Sequence, residues 1–109
     1  MTSFNRIGAT WAGGNYNLIT GVLRKEFGFK GFVLPDYDTG DYMVNHAAQM
    51  LEAGGDAKLN TIGEWNGLKS GENANAYIAY AKAAAKNVLY TVVNSAAMNG
   101  YVLGGHYVA

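Results

Sequence analysis

Apolar side chains recur at helical spacing in three stretches of this 109-residue chain, residues 17–27, 42–53 and 74–97. A repeat of three and four residues places such side chains on one face of a helix, so each stretch is predicted to be helical. Asn17 is the predicted N-terminal cap of the first helix, and Gly28 stands where a glycine commonly ends one.

Strands are predicted at residues 1–5, 29–34 and 56–60, between the helical stretches. The run at 29–34 is apolar without alternation, which is typical of a strand buried on both faces of a parallel sheet. The resulting alternation of strands and helices, β-α-β-α-β-α, is typical of parallel α/β proteins.

Charge and composition remove several classes of function. The chain has 8 basic and 8 acidic residues and a net charge of zero, so it offers no basic surface to DNA or RNA. Cysteine is absent, and His46 and His106 have no second ligand at metal spacing, so we expect no metal site. The first residues lack a secretory signal, and no apolar run is long enough to span a membrane. These features predict a cytoplasmic protein that binds neither nucleic acid nor membrane.

Acidic residues follow the apolar run at 29–34: Asp36, Asp38 and Asp41. Functional groups gather at the carboxyl ends of parallel strands, which makes Asp36 the first candidate for chemistry. The alternative is that Asp36 only caps a turn. Asp41 is better explained as the N-terminal cap of the following helix, and the pattern leaves Asp38 open.

The letters D-Y-D-T at residues 36–39 resemble the DxDxT motif of haloacid-dehalogenase-type phosphatases. That resemblance implies Asp36 as a phosphoryl-accepting nucleophile, Asp38 as general acid/base, and Mg²⁺ between them. The chain departs from the motif's usual setting, because Pro35 interrupts the strand and Asn60 replaces a later acid.

A longer resemblance runs through most of the chain in order. It covers the segments SFNRIG (3–8), NLITGVLRKEFGFKGFVLPDYD (17–38), LEAGGDAKLN (51–60) and YAKAAAKNVLYTVVNSAAMNG (80–100). These segments resemble glycoside hydrolase family 3, the β-glucosidase group. The resemblance implies a partial (β/α)8 barrel of about three βα units over residues 1–97, and we expect an irregular tail at 98–109.

The same resemblance implies retaining hydrolysis of β-glucosides or related sugars, without a cofactor. Asp36 falls on the family's nucleophile, and Ser3 and Asn5 fall on a strand end that lines the sugar pocket. Tyr37 opens the loop that shapes the sugar subsite. Pro35 stands where the family usually has Ser or Thr, so a hydroxyl and a backbone donor are missing beside the nucleophile.

The family's general acid/base and upstream sugar-binding residues have no counterpart here, and nothing in the spacing favours Asp38 or Glu64 as a substitute. We therefore expect weak or no activity from the chain alone. A barrel fragment has open strand edges that pair with other chains, so we expect a homo-oligomer. The open hypotheses are a residual glycosidase, a non-catalytic self-associating fragment, and an Mg²⁺-dependent phosphatase that uses Asp36 and Asp38.

Aromatic side chains add one further candidate feature. Trp11 and Trp65 stand in predicted loops, where an exposed ring can stack on a sugar or cover the edge of the core. The sequence leaves both roles open.

Overall fold

The computed structural model describes residues 1–37, 47–59 and 74–100, together with the backbone of Val102–Leu103 and His106–Tyr107. Two antiparallel pairs of short strands join Arg6–Ile7 to Thr10–Trp11 and Val102–Leu103 to His106–Tyr107. The helical elements are a 3-10 turn at Ala12–Gly14, the first helix at Asn17–Glu26, the short helix at Ala47–Ala53, the long helix at Ala74–Val93, and a final turn of helix at Ala96–Asn99.

The first helix is π-helical, and its last turn is closed by the amide of Phe27, which donates to the Val22 carbonyl at 3.0 Å. Tyr16 occupies the N-cap position, and Asn15 just before it accepts from the Leu18 amide through its Oδ1 at 3.1 Å, so the prediction of Asn17 as the cap was wrong. Gly28 follows the helix at a φ of +69°, a backbone conformation that favours glycine.

The long helix ends earlier than the predicted stretch 74–97. A break at Asn94 and Ser95 separates it from the final turn at Ala96–Asn99. The Ser95 hydroxyl accepts from the Met98 amide at 3.3 Å and so caps the new turn. Among the helices described, none has the length and apolar character that crossing a membrane requires.

The prediction of a parallel-stranded partial (β/α)8 barrel is wrong. The described part of the chain is mostly helical, and its strands form antiparallel pairs of two residues each. Parallel pairing among the described residues is limited to one isolated bridge between Thr2 and Pro35.

Proline explains why the apolar segment at 29–34 does not become a sheet strand. The Asp56 amide donates to the Val33 carbonyl at 2.8 Å, which is the first bond of a parallel ladder. The next bond would need a backbone N–H at position 35, and Pro35 has none. The pairing therefore stops after one bond.

The bridge on the other side of this segment tolerates the proline. The Thr2 amide donates to the Leu34 carbonyl at 2.8 Å, and the Asp36 amide donates to the Thr2 carbonyl at 3.0 Å. Both bonds use the backbone of Thr2 and neither needs a donor on Pro35. The segment is thus held between Thr2 and Asp56 without a continuous ladder.

The core consists of two small apolar clusters on either side of the short helix. Ile19, Val33 and Ala53 form one cluster, against which Leu23 packs. The other consists of Met50, Leu51 and Ala84, with Tyr80 packed against it. The short helix contributes to both clusters, so it joins the first helix to the long helix.

Candidate functional site

Asp36, the predicted nucleophile, lies half-buried directly after the bridge residue Pro35. Its amide is bonded to Thr2, and its Oδ1 accepts from the Tyr37 amide at 2.7 Å. The backbone therefore fixes Asp36 at one point, and its own side chain folds back on the next residue. A carboxylate held in this way keeps one defined orientation.

Ser3 and Asn5 lie on the segment that runs beside Asp36. Ser3 directly follows Thr2 and Asp36 directly follows Pro35, the two residues of the isolated parallel bridge. The Ser3 hydroxyl donates to Asn5 Oδ1, and both residues are exposed. Ser3 and Asn5 therefore follow one residue of the bridge along the chain, and Asp36 and Tyr37 follow the other.

Several predicted candidates lie outside the described residues: Asp38, Asp41, His46, Glu64 and Trp65. The other tryptophan, Trp11, is half-buried, and the Arg6 guanidinium carbon lies 3.9 Å from the centre of its ring. One face of the Trp11 ring is therefore covered by a cation, which favours its role as cover at the edge of the core.

A buried carboxylate that the sequence motifs contain but did not single out dominates the polar contacts. Asp56 is 6% exposed and forms an ion pair with Arg24, Oδ2 to Nη2, at 2.7 Å. Its Oδ2 also accepts from the Val33 amide at 2.7 Å, and its Oδ1 accepts from the Asn87 side-chain amide at 2.8 Å. The Arg24–Asp56–Asn87 network thus joins the loop at Asp56 to the first helix, to the segment around Val33 and to the long helix.

Arg24 extends the network to the end of the short helix. Its Nη2 and Nε donate to the Gly54 carbonyl at 2.7 and 3.1 Å, and its Nη1 donates to the Gly31 carbonyl at 3.0 Å. The Thr20 hydroxyl donates to the Ala53 carbonyl at 2.8 Å beside it. Two side chains of the first helix thus satisfy carbonyls that the short helix leaves unpaired at its C-terminus.

Two cavities lie away from Asp36. A cleft of about 880 Å³ is bounded by residues 27–32 and by the end of the long helix. A second cavity of about 580 Å³ lies between Leu51 of the short helix and the long helix, with Asp56 in its wall. Asp36 lines neither of these two cavities.

No three His, Asp or Glu side chains come together as a candidate metal site in the part of the chain that the structure describes. Asp56 gave a weak signal in the sequence, because it is an acid within the small-residue stretch A-G-G-D-A, whereas Arg24 stands among charged neighbours in L-R-K-E. Asn87 gave a similar signal, since it is an amide on the packed face of the long helix.

Comparison with known proteins finds local similarity to β-glucosidases. The chain is 36% identical over 67 residues to the probable β-glucosidase I of Aspergillus clavatus, a match that covers 62% of this chain and 8% of that protein. It is 43% identical over 52 residues to the probable β-glucosidase L of Emericella nidulans, covering 48% of this chain and 7% of that protein. The β-glucosidase of Ruminococcus albus is 38% identical over 37 residues, 34% of this chain and 4% of that enzyme.

The chain therefore contains a β-glucosidase-like region that corresponds to less than a tenth of these relatives' length. No family model matches the chain, and no solved structure matches it.

Proposed function

We propose that this chain is part of a retaining β-glucosidase of glycoside hydrolase family 3, with Asp36 as its nucleophile. The observation that carries the proposal is the local similarity to several β-glucosidases of fungi and a bacterium. The family motifs that the sequence resembles support the narrower assignment to family 3 and to Asp36. The substrates proposed are β-glucosides or closely related sugars.

In this mechanism the Asp36 carboxylate attacks the anomeric carbon of the sugar, and the bond to the leaving group breaks as the new ester bond forms. Water then hydrolyses the glycosyl ester and restores the carboxylate. The Tyr37 amide bonded to Oδ1 supports this role, because it orients the carboxylate before attack. Ser3 and Asn5 are proposed to contact the sugar hydroxyls. No residue is assigned as acid/base, and we expect little turnover of substrates with poor leaving groups.

The test is intact-mass analysis after incubation with a 2-deoxy-2-fluoro glucoside that carries a dinitrophenyl leaving group. Such a leaving group departs without an acid catalyst, so the experiment measures the nucleophile and its surroundings. The expected result is a mass gain of one fluorinated sugar. It should disappear in Asp36→Asn and persist in Glu52→Gln, which alters an exposed acid of the short helix.

Absence of an adduct in the unmodified chain, or an adduct that survives Asp36→Asn, would contradict the proposed nucleophile. Hydrolysis of an aryl phosphate that requires both Mg²⁺ and Asp36 would favour the phosphatase hypothesis instead.

We also propose that the chain self-associates through the exposed side of the long helix. Four of its exposed apolar residues are Ile78, Leu89, Val92 and Val93, at 52, 61, 44 and 53% exposure.

Light scattering at micromolar concentration is expected to give a mass above that of the monomer. Leu89→Glu should reduce that mass toward the monomer, because it places a charge in the middle of the apolar stripe. Ala83→Glu is the matched control, since it adds the same charge at an exposed position on another side of the same helix. A monomeric mass for the unmodified chain, or equal effects of the two variants, would contradict the proposal.

A further inference from the structure

The Arg24–Asp56–Asn87 network reaches the segment that leads to Asp36. Asp56 bonds the backbone of Val33 twice, since its carboxylate accepts from the Val33 amide and its own amide donates to the Val33 carbonyl. Three residues later the Asp36 amide is bonded to Thr2. Residues 33–36 therefore link the bonds of the buried Asp56 to the backbone of Asp36.

Three bonds along residues 31–36 come from side chains of other elements, and three come from the backbone of Asp56 and Thr2. The Gly31 carbonyl accepts from Arg24, and the Phe32 amide donates to the Thr91 hydroxyl at 2.9 Å. The Val33 amide donates to Asp56. In a sheet these groups would meet a neighbouring strand, whereas here their positions depend on three side chains.

We propose that Asp56 is a positioning residue for Asp36. Its carboxylate, held by Arg24 and Asn87, fixes Val33 and thereby the direction in which the chain presents Asp36 after Pro35. The functional part of this inference rests on the proposed role of Asp36 as nucleophile. The structural part, that Asp56 fixes the backbone at Asp36, can be tested whether or not Asp36 is a nucleophile.

Pro35 makes this control effective. Its ring fixes φ near −65°, so residue 35 cannot absorb a change in direction as freely as another residue would. A displacement of Val33 is then transmitted to Asp36 rather than lost in the intervening turn. The proline that prevents a parallel ladder thus couples Asp56 to Asp36.

The test compares amide hydrogen exchange, measured by NMR, in the unmodified chain and in Asn87→Ala, Asp56→Asn and Asn94→Ala. Asn87→Ala removes one bond to Asp56 and leaves the ion pair in place. Asn94→Ala is the matched control, because it removes an asparagine just after the same helix, and among the described residues the side-chain amide of Asn94 donates to the Tyr90 carbonyl and not to Asp56. We expect exchange at Val33 and Asp36 to accelerate about tenfold in Asn87→Ala, and more in Asp56→Asn.

Amides of the first helix should change by less than about twofold in Asn87→Ala, since a single lost hydrogen bond acts locally. Equal acceleration throughout the chain would mean that Asp56 is merely structural, and would overturn the proposal. Acceleration at Val33 without acceleration at Asp36 would overturn it as well, as would no difference from the Asn94→Ala control. If Asp56→Asn does not fold, the exchange rates at Val33 and Asp36 in Asn87→Ala alone test the proposal.

The fluorinated glucoside adds a functional readout. If the unmodified chain is labelled, Asn87→Ala should lower the maximal labelling rate about tenfold and leave the half-saturating sugar concentration unchanged. A change in the half-saturating sugar concentration without a change in the maximal labelling rate would overturn the positioning role of Asp56. If the unmodified chain is not labelled, the proposed function fails, and the exchange measurements still decide whether Asp56 positions Asp36.

Discussion

An Asp56→Ala variant is expected to lose about 3–5 kcal/mol of its free energy of unfolding, because it leaves a partly buried guanidinium without its counter-ion. The Arg24 side chain is only 14% exposed, and the Asp56 side chain 1%. The Val33 amide and the Asn87 side chain lose their acceptor in the same step. A small domain has about 5–15 kcal/mol in total, so this variant is expected to approach complete unfolding.

Urea unfolding followed by circular dichroism measures this loss, with the transition midpoint compared at constant slope. Glu52→Ala serves as control, because it removes an acid from the exposed side of the short helix, and its effect should stay within about 0.5 kcal/mol. A similar midpoint for the two variants would show that the buried ion pair contributes no more than an exposed carboxylate.

A Gly54→Ala variant is expected to lose about 2–4 kcal/mol, which is the second-largest effect. Gly54 has a φ of +101°, and a Cβ built there would lie 2.5 Å from Thr20 Oγ1 and 3.3 Å from Ile19 Cγ2. The methyl group would strain the backbone and would also displace the Thr20 hydroxyl from the Ala53 carbonyl. The end of the short helix would then separate from the first helix.

Gly8→Ala is the matched control for this prediction. Gly8 also has a positive φ, +62°, but a Cβ there would meet no atom within 4 Å. Only the backbone strain remains, at about 1 kcal/mol. Thermal or urea unfolding of the two variants separates strain from steric overlap. Equal losses of unfolding free energy in Gly54→Ala and Gly8→Ala would show that the Thr20 side chain can move away from the added methyl group without destabilising the fold.

The helices were largely predictable, because each depends on the spacing of apolar side chains within a few turns. The apolar positions of the first and long helices recur at three and four residues, and the described part of the short helix lies within its predicted stretch. Gly28 could be placed as a helix end because a positive φ favours glycine regardless of what surrounds it. The N-terminal cap was misplaced, since asparagine is a good cap at either 15 or 17, and only the folded chain shows that the Leu18 amide donates to Asn15.

The strands were not predictable, because a strand requires a partner and the sequence of one segment does not contain it. The run at 29–34 has the composition of a buried strand, yet its amides donate to Thr91 and Asp56. The effect of Pro35 is visible only once Asp56 is known to lie beside Val33, since the missing donor matters only where a ladder would continue.

The roles of Asp36, Ser3, Asn5 and Tyr37 come from the resemblance to family 3 and stay predictions. The structure adds only that Ser3 and Asp36 each directly follow one residue of the Thr2–Pro35 bridge. The network around Asp56 was missed because its members are 30 or so residues apart along the chain, Arg24 and Asp56 at a separation of 32. Such pairs become evident only when the helices have packed.

The side-chain hydrogen bonds to residues 31–33 have a further consequence, for the tendency of the chain to form fibrils. Short apolar segments of this kind readily add identical strands through free backbone donors. Here the amide of Phe32 is bonded to a hydroxyl, that of Val33 to a carboxylate, and residue 35 offers none. The segment is therefore a poor template for an incoming strand while Thr91 and Asp56 remain in place. Variants that release these side chains would expose the segment to cross-β stacking, so the polar contacts that organise the fold also protect it from amyloid growth.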